Sequence, residues 1–191
     1  MTATAAPPAT TLRTGATVWL TGLPSAGKTT IAHAVAAVLR AEGNRVEVLD
    51  GDVVRESLSA GLGFSRADRD TNIERIGFVA DLLARNGVLV LAAVISPYAR
   101  ARDRVRARHG RSGAPFLEVH VATPVEQCAA RDVKGLYARQ ARGELAGLTG
   151  VDDTYEPPVS PELRVQTRGP VADSAAEVLE LLRQKGIGIL R

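Results

Sequence analysis

The sequence has a single cysteine, Cys128, so no disulfide can form within the chain, and a reducing compartment such as the cytoplasm is expected. No apolar run approaches the roughly 18 residues needed to cross a bilayer, so no membrane partner is expected. The opening MTATAAPPATTLRTG has no basic start followed by an apolar core, which argues against a secretory signal; residues 1–14 read as a flexible tail. His33, His109 and His120 do not approach Cys128 at metal-ligand spacing, so structural or surface roles are expected for all three. A net charge of only +3 is too small a field to suggest a nucleic-acid partner. The basic run Arg100, Arg102, Arg104, Arg106, Arg108, Arg111 spreads around a helix and reads as a solvated face. Arg100 and Arg104 lie nearest a strand end, where they could add charge to a pocket. No internal repeat or second-domain boundary is visible.

What the chain does contain is an alternation of strand-like and helix-like stretches. Thr17–Thr21, Val46–Leu49, Val88–Ile95 and Phe116–Val121 read as strands. Thr30–Ala41, Val53–Ser59, Ala67–Asn86, Ala99–His109 and Pro124–Arg131 read as helices, punctuated by Gly43-Asn44 and Asn86-Gly87. Val88–Ile95 is the most continuous apolar run, as a strand buried on both faces should be. Such alternation implies right-handed βαβ crossovers, a mostly parallel central sheet and a three-layer αβα fold. Ligands then collect at the carboxyl ends of the strands. The features that fall there are Gly22–Thr29, Asp50 and Asp52, Ser96-Pro97-Tyr98, and Thr123-Pro124.

Gly22–Thr29 reads GLPSAGKT, a match to G-x-x-x-x-G-K-[ST] set between a strand and a helix. Backbone N–H groups of such a turn, continued by the positive end of a helix, make a concave anion site. Lys28 would reach the outer phosphates of a nucleoside triphosphate, and the Thr29 hydroxyl would sit on magnesium. The buried strand ends in the uncharged Ser96, so the carboxylates available to a magnesium–triphosphate site are Asp50 and Asp52. One could face the metal, directly or through water, and the other a substrate hydroxyl. The alternative is an Asp-Gly turn in which Asp52 caps the following helix. Between Arg131 and Pro158 lies a long, glycine-punctuated segment carrying Lys134, Arg139 and Arg142 and few apolar residues that could enter a core. Segments of that kind are commonly lids over a site.

Several motifs in order resemble the adenylylsulfate kinase family: WLTGLPSAGKTT, LDGDVVR, LGFSRADRDTNIERIG, ISPY and RDVKGLYARQARGELAGLTGVDDTYEPP. The resemblance runs from about Gly15 to the C-terminus and implies a P-loop NTPase fold over residues 15–191. It implies transfer of the ATP γ-phosphate to the 3′-hydroxyl of adenosine 5′-phosphosulfate, with Mg2+, in sulfate assimilation. By that resemblance Gly22, Leu23, Pro24, Ser25, Ala26, Gly27, Lys28, Thr29 and Thr30 hold ATP. Asp50, Asp52, Arg55, Phe64, Arg69, Asn72, Ile95, Ser96, Pro97, Tyr98, Lys134 and Leu148 line the acceptor pocket. Arg55 and Arg69 suit a phosphosulfate, because a guanidinium fork matches paired anionic oxygens, and Phe64 offers a face to adenine.

The resemblance further implies a lid over about Arg131–Tyr155, including Thr149 and Asp152, and a homodimer that associates with ATP sulfurylase. It also implies a phosphoserine at Ser96. On bare sequence Ser96 is a turn or cap residue, and a covalent route would need a base that this segment lacks. Asp52 is the residue chosen to orient or deprotonate the 3′-hydroxyl, with metal ordering as its alternative role. Two positions depart from the family pattern. Leu148 stands where an aromatic would stack on the acceptor adenine, and Ala122 stands where relatives often carry Asp. Other readings of the chain are a different small-molecule P-loop kinase, such as a nucleotide or sugar kinase, and a weakly catalytic nucleotide-binding scaffold.

Overall fold

A computed structural model describes residues 15–188; the tail expected over residues 1–14 lies outside them. Twelve elements follow in order. They are β1 (Ala16–Thr21), α1 (Lys28–Ala41), β2 (Val46–Asp50), α2 (Gly51–Glu56), α3 (Arg66–Ala84), β3 (Leu89–Ala93), α4 (Ala99–Ser112), β4 (Phe116–Val121), α5 (Val125–Arg131), α6 (Leu136–Ala141), β5 (Leu163–Val165) and α7 (Val171–Gln184). The strands form one five-stranded sheet in the order β2-β3-β1-β4-β5, and every pairing is parallel.

Period-2 alternation sends neighbouring side chains of β1 into different layers. Val18 and Leu20 face a core shared with Ile31, Val35 and Leu39 of α1 and with Val178 and Leu182 of α7. Trp19 faces the other way, against Ile73 and Ile76 of α3 and Ala101 and Val105 of α4. The result is α1/α7, sheet, α3/α4: the three layers the alternation predicts. Gly77 lets α3 and α4 approach closely, because a Cβ there would meet the Val105 side chain at 2.5 Å. No described helix is long and apolar enough to cross a membrane.

Element edges differ from the sequence expectation in instructive ways. The buried strand stops at Ala93, short of Ile95, because the chain must leave the sheet to line the crevice above it. α6, β5 and α7 lie beyond the expected elements. The segment after Arg131 is also less polar in practice than its composition suggests. Tyr137 (7% exposed) and Leu148 (5% exposed) are buried in the α1-side core, with Leu136 and Leu145 packed against it.

The arginine-rich helix α4 is likewise not simply solvated. Arg102 is 3% exposed and pairs with Glu118 of β4, and Arg106 binds Glu118 and Glu162. Arg104 is drawn to Asp70 and Glu74 on α3, so it adds no charge to the crevice. Buried His109 is held between Thr17 Oγ1 and Val105 O.

Candidate active site

β1 is the central strand, with β3 and β4 on opposite sides, so chains leaving its carboxyl end diverge and open a crevice. The loop after β1 turns through Gly22 (φ 153°), Ser25 (φ 58°) and Gly27 (φ 103°). At Gly22 a Cβ would sit 2.5 Å from Val121 O, so only glycine fits. Three side chains fix the carbonyl side of this loop. Tyr137 Oη donates to Pro24 O (3.0 Å), Thr123 Oγ1 donates to Ala26 O (2.8 Å), and Arg131 Nη1 reaches Ala26 O at 3.4 Å. With its carbonyls held from below, the loop's N–H groups and the start of α1 are left to face an anion.

Lys28 opens α1 and curls back, donating from Nζ to Gly22 O (2.9 Å) and Leu23 O (2.7 Å). Burial lowers its pKa to about 7. A lysine so poised regains full charge when a phosphate replaces those carbonyls, since a nearby anion favours the protonated form. Thr29, one residue on, donates from its hydroxyl to Asp50 Oδ2 at 2.6 Å. Asp50 Oδ1 accepts from Asp52 N at 2.9 Å and is the N-cap of α2. The cap is therefore Asp50, not Asp52 as the turn alternative had it. Asp52 turns its carboxylate to Lys134 Nζ, forming an ion pair across the mouth of the crevice.

The crevice is a cleft of about 910 Å³, at the upper end of ordinary ligand-site volumes. From the phosphate loop, Pro24, Ser25, Ala26, Gly27, Lys28, Thr29 and Thr30 line it, while Gly22 and Leu23 lie at its base without lining it. Asp50, Asp52, Arg55, Phe64, Arg69 and Asn72 line it too, as do Ile95, Ser96, Pro97 and Lys134. Two residues expected in the acceptor pocket are not brought there. Tyr98 is buried, with its hydroxyl donating to Asp153 Oδ2 (3.2 Å) and the Arg66 guanidinium 4.2 Å above its ring. Leu148 sits in the core, where a leucine packs without strain, rather than over a ligand.

Side chains shape the end of the cleft remote from the loop. Phe64 is 68% exposed, and the Arg55 guanidinium lies 4.5 Å from its ring centroid. Asn72 is 7% exposed, and its Oδ1 is buried without a partner; a buried acceptor left unpaired points to a missing donor. Arg69 is committed to the chain. It donates from Nε to Phe64 O (2.8 Å), from Nη2 to Gly147 O (2.6 Å) and from Nη1 to Thr149 Oγ1. Among the described residues Arg55 makes one long hydrogen bond, to Gly63 O (3.4 Å), beside its contact with the Phe64 ring, so of the two guanidiniums it has the donors to spare.

Ser96 is 1% exposed and its Oγ accepts from Trp19 Nε1 at 3.0 Å. Among the described residues no histidine or carboxylate hydrogen-bonds that hydroxyl, and activation as a nucleophile needs a base. Sequence reasoning missed the far wall beside the loop, made by Arg131, Val133, Thr167, Gly169, Val171 and Ser174. Arg131 binds Thr167 through both Oγ1 (2.9 Å) and O (2.7 Å). Arg131 and Val133 open the RDVKGLY motif, but no short motif marks Thr167, Gly169, Val171 and Ser174, which reach the loop through the pairing of β5 with β4.

Comparison with known proteins gives the family. The sequence model of the family described as adenylylsulphate kinase matches residues 14–166. An adenylyl-sulfate kinase of Picosynechococcus sp. is 51% identical over 173 residues, covering 90% of this chain and 96% of that protein. One of Chloroflexus aurantiacus is 57% identical over 157 residues, 82% of each chain. Among solved structures, the APS kinase CysC of Mycobacterium tuberculosis, in complex with AMPPNP and APS, superposes with a TM-score of 0.88 at 44% identity, covering 90% of this chain and 99% of that one.

Proposed function

The chain belongs to the adenylylsulphate kinase family, and on that premise we propose that the cleft beside the phosphate loop aligns ATP and adenosine 5′-phosphosulfate end to end. The protein is an ATP-dependent phosphotransferase, an adenylyl-sulfate kinase that moves the γ-phosphate of ATP to the 3′-hydroxyl of adenosine 5′-phosphosulfate. The observation that carries the assignment of ends is the composition of the cleft. The glycine loop and Lys28 line it with Asp50, which Thr29 touches, while Arg55 stacked on Phe64 and the buried Asn72 line it as a second group.

In this reading the triphosphate lies on the loop N–H groups and draws Lys28 Nζ off the Gly22 and Leu23 carbonyls. The donor base rests against the Arg131–Thr167 wall. The acceptor adenine stacks on Phe64, the Arg55 fork takes anionic oxygens of the phosphosulfate, and Asn72 Oδ1 accepts the donor it now lacks. Asp52 orients or deprotonates the 3′-hydroxyl once Lys134 is drawn to phosphate. Phosphoryl transfer asks the protein for little beyond alignment and charge.

Thr29 Oγ1 and Asp50 Oδ2, hard oxygen donors 2.6 Å apart, suit magnesium, which takes few protein ligands and keeps water. Thr29, Asp50 and Asp52 would hold it, directly or through water, and it would neutralise charge on the phosphates. Residues 131–155 act as a lid that excludes water and limits wasteful hydrolysis. The kinase domain spans residues 15–191 and works in the cytoplasm. Exposed Phe78 and Leu82 on α3, with Leu58 beside it, give a homodimer an apolar face, and association with ATP sulfurylase completes the proposal. The test is ADP release with and without adenosine 5′-phosphosulfate. Release that depends on the acceptor is expected; release indifferent to it, or equally supported by nucleoside monophosphates or gluconate, would overturn the reading.

A further inference from the structure

Ser96 has φ 43°, inside the left-handed region, although a serine gains nothing sterically there. Something must hold it. Its carbonyl accepts from Arg102 Nη1 at 2.7 Å. Arg102 is buried on α4, and each nitrogen of its guanidinium has a different job. Nε donates to Glu118 Oε1 (2.7 Å), Nη1 to Ser96 O, and Nη2 to the main-chain oxygen of Glu156 (2.7 Å).

Glu156 returns the grip from the other side. Its N–H donates to Pro97 O (2.8 Å), and its carboxylate Oε2 accepts from Ala99 N (2.7 Å) at the first turn of α4. Next to it, Tyr155 Oη lies 3.1 Å from Thr21 Oγ1, which donates to Ile95 O at 2.6 Å. The turn Ile95–Tyr98 and the downstream foot of the 131–155 segment are thus bound into one body. Neither Arg102 nor Glu156 lines the cleft.

We propose that Arg102 and Glu156 are positioning residues: together they clasp the cleft turn Ile95–Tyr98 to the foot of the lid, so that binding of the acceptor and closure of the lid are coupled. The proposal rests on the acceptor and lid assignments above. A buried guanidinium that binds two backbone oxygens from segments some sixty residues apart, as well as a carboxylate, specifies geometry more than it adds stability. A lysine cannot reproduce it, because a point charge lacks the planar fork.

The experiment measures KM for adenosine 5′-phosphosulfate and for ATP in Arg102→Lys, Glu156→Ala and Glu156→Gln, with a melting curve for each. It also measures proteolysis of the 131–155 segment with ADP alone and with ADP plus acceptor. Arg102→Lys and Glu156→Ala are expected to raise the acceptor KM by about tenfold while the ATP KM changes less than about twofold. In both, acceptor should no longer add protection to the segment. Glu156→Gln keeps an oxygen for Ala99 N and should restore both readouts.

Unchanged acceptor KM and protection in Glu156→Ala would overturn the clasp, as would a Gln variant as impaired as the Ala variant, or parallel rises in both KM values. If Arg102→Lys fails to fold, the two Glu156 variants decide alone. Wild-type turnover with the acceptor is read separately. If it is absent, the functional reading falls; if it is present with unaffected variants, only the clasp does.

Discussion

At the Lys28 end, the cleft is walled by main chain. Its shape comes from glycine dihedrals, a helix start and carbonyls pinned by Tyr137, Thr123 and Arg131. At the Phe64 end it is walled by side chains that α2, the loop bearing Phe64, α3 and the turn Ile95–Pro97 deliver from separate parts of the sequence. The first kind of wall is written in eight consecutive residues and, in the proposed reading, holds the triphosphate. The second is assembled by the fold and carries the choice of acceptor. Damage at the first should therefore abolish transfer, and damage at the second should change what is transferred to.

The largest expected effect sharpens that contrast. Lys28→Ala should lower kcat/KM by about 10²–10³-fold or more, the scale of losing one preorganised charge at the transferring group, with little dependence on acceptor concentration. The same lysine makes a pH signature. Its pKa of about 7, lowered by burial, lies below the range it regains beside phosphate. ATP binding should thus take up about one proton at pH 8 and close to none at pH 6. Calorimetry in buffers of different ionisation enthalpy measures this, and Lys28→Ala should erase it.

Asp52→Asn comes next. Loss of a general base or orienting carboxylate should cost about 10²-fold or more in kcat, with the melting temperature near wild type, because Asp52 is exposed and the cap of α2 belongs to Asp50. Near-normal turnover in this variant would remove Asp52 from the mechanism. The smallest effect breaks the comparison if it fails. Leu148→Phe restores the aromatic of the family pattern, yet the side chain is in the core. The expected result is a loss of about 1–3 kcal/mol in stability from overpacking, without tighter acceptor binding. A gain in acceptor affinity at unchanged stability would return position 148 to the acceptor pocket.

The same difference in construction explains what was legible in the sequence. Short apolar runs and helical spacing placed β1 to β4 and the helices between them, because each is bounded by its own turn residues. GLPSAGKT placed the loop because backbone geometry needs glycine at Gly22 and Gly27. Asp50 and Asp52 were legible as a pair, but their division of labour was not, since it depends on Thr29 and Lys134 arriving from elsewhere. β5, at three residues, has no period to read. α7 did carry a helical signal in Ala175, Val178, Leu179 and Leu182. The burial of Leu148 and Tyr137 was hidden because the core they join is built by residues distant in sequence, Pro24 among the partners of Tyr137, and the inward turn of Arg102 because Glu118 lies on β4.

Direct passage of the γ-phosphate between two nucleotides in one cleft is tested most squarely by the stereochemical course at phosphorus, using ATP with an isotopically chiral γ-phosphate. A single in-line transfer, with Ser96 Oγ left bound to Trp19 Nε1, predicts inversion. Retention would mean two displacements through a phosphorylated side chain and would contradict the account.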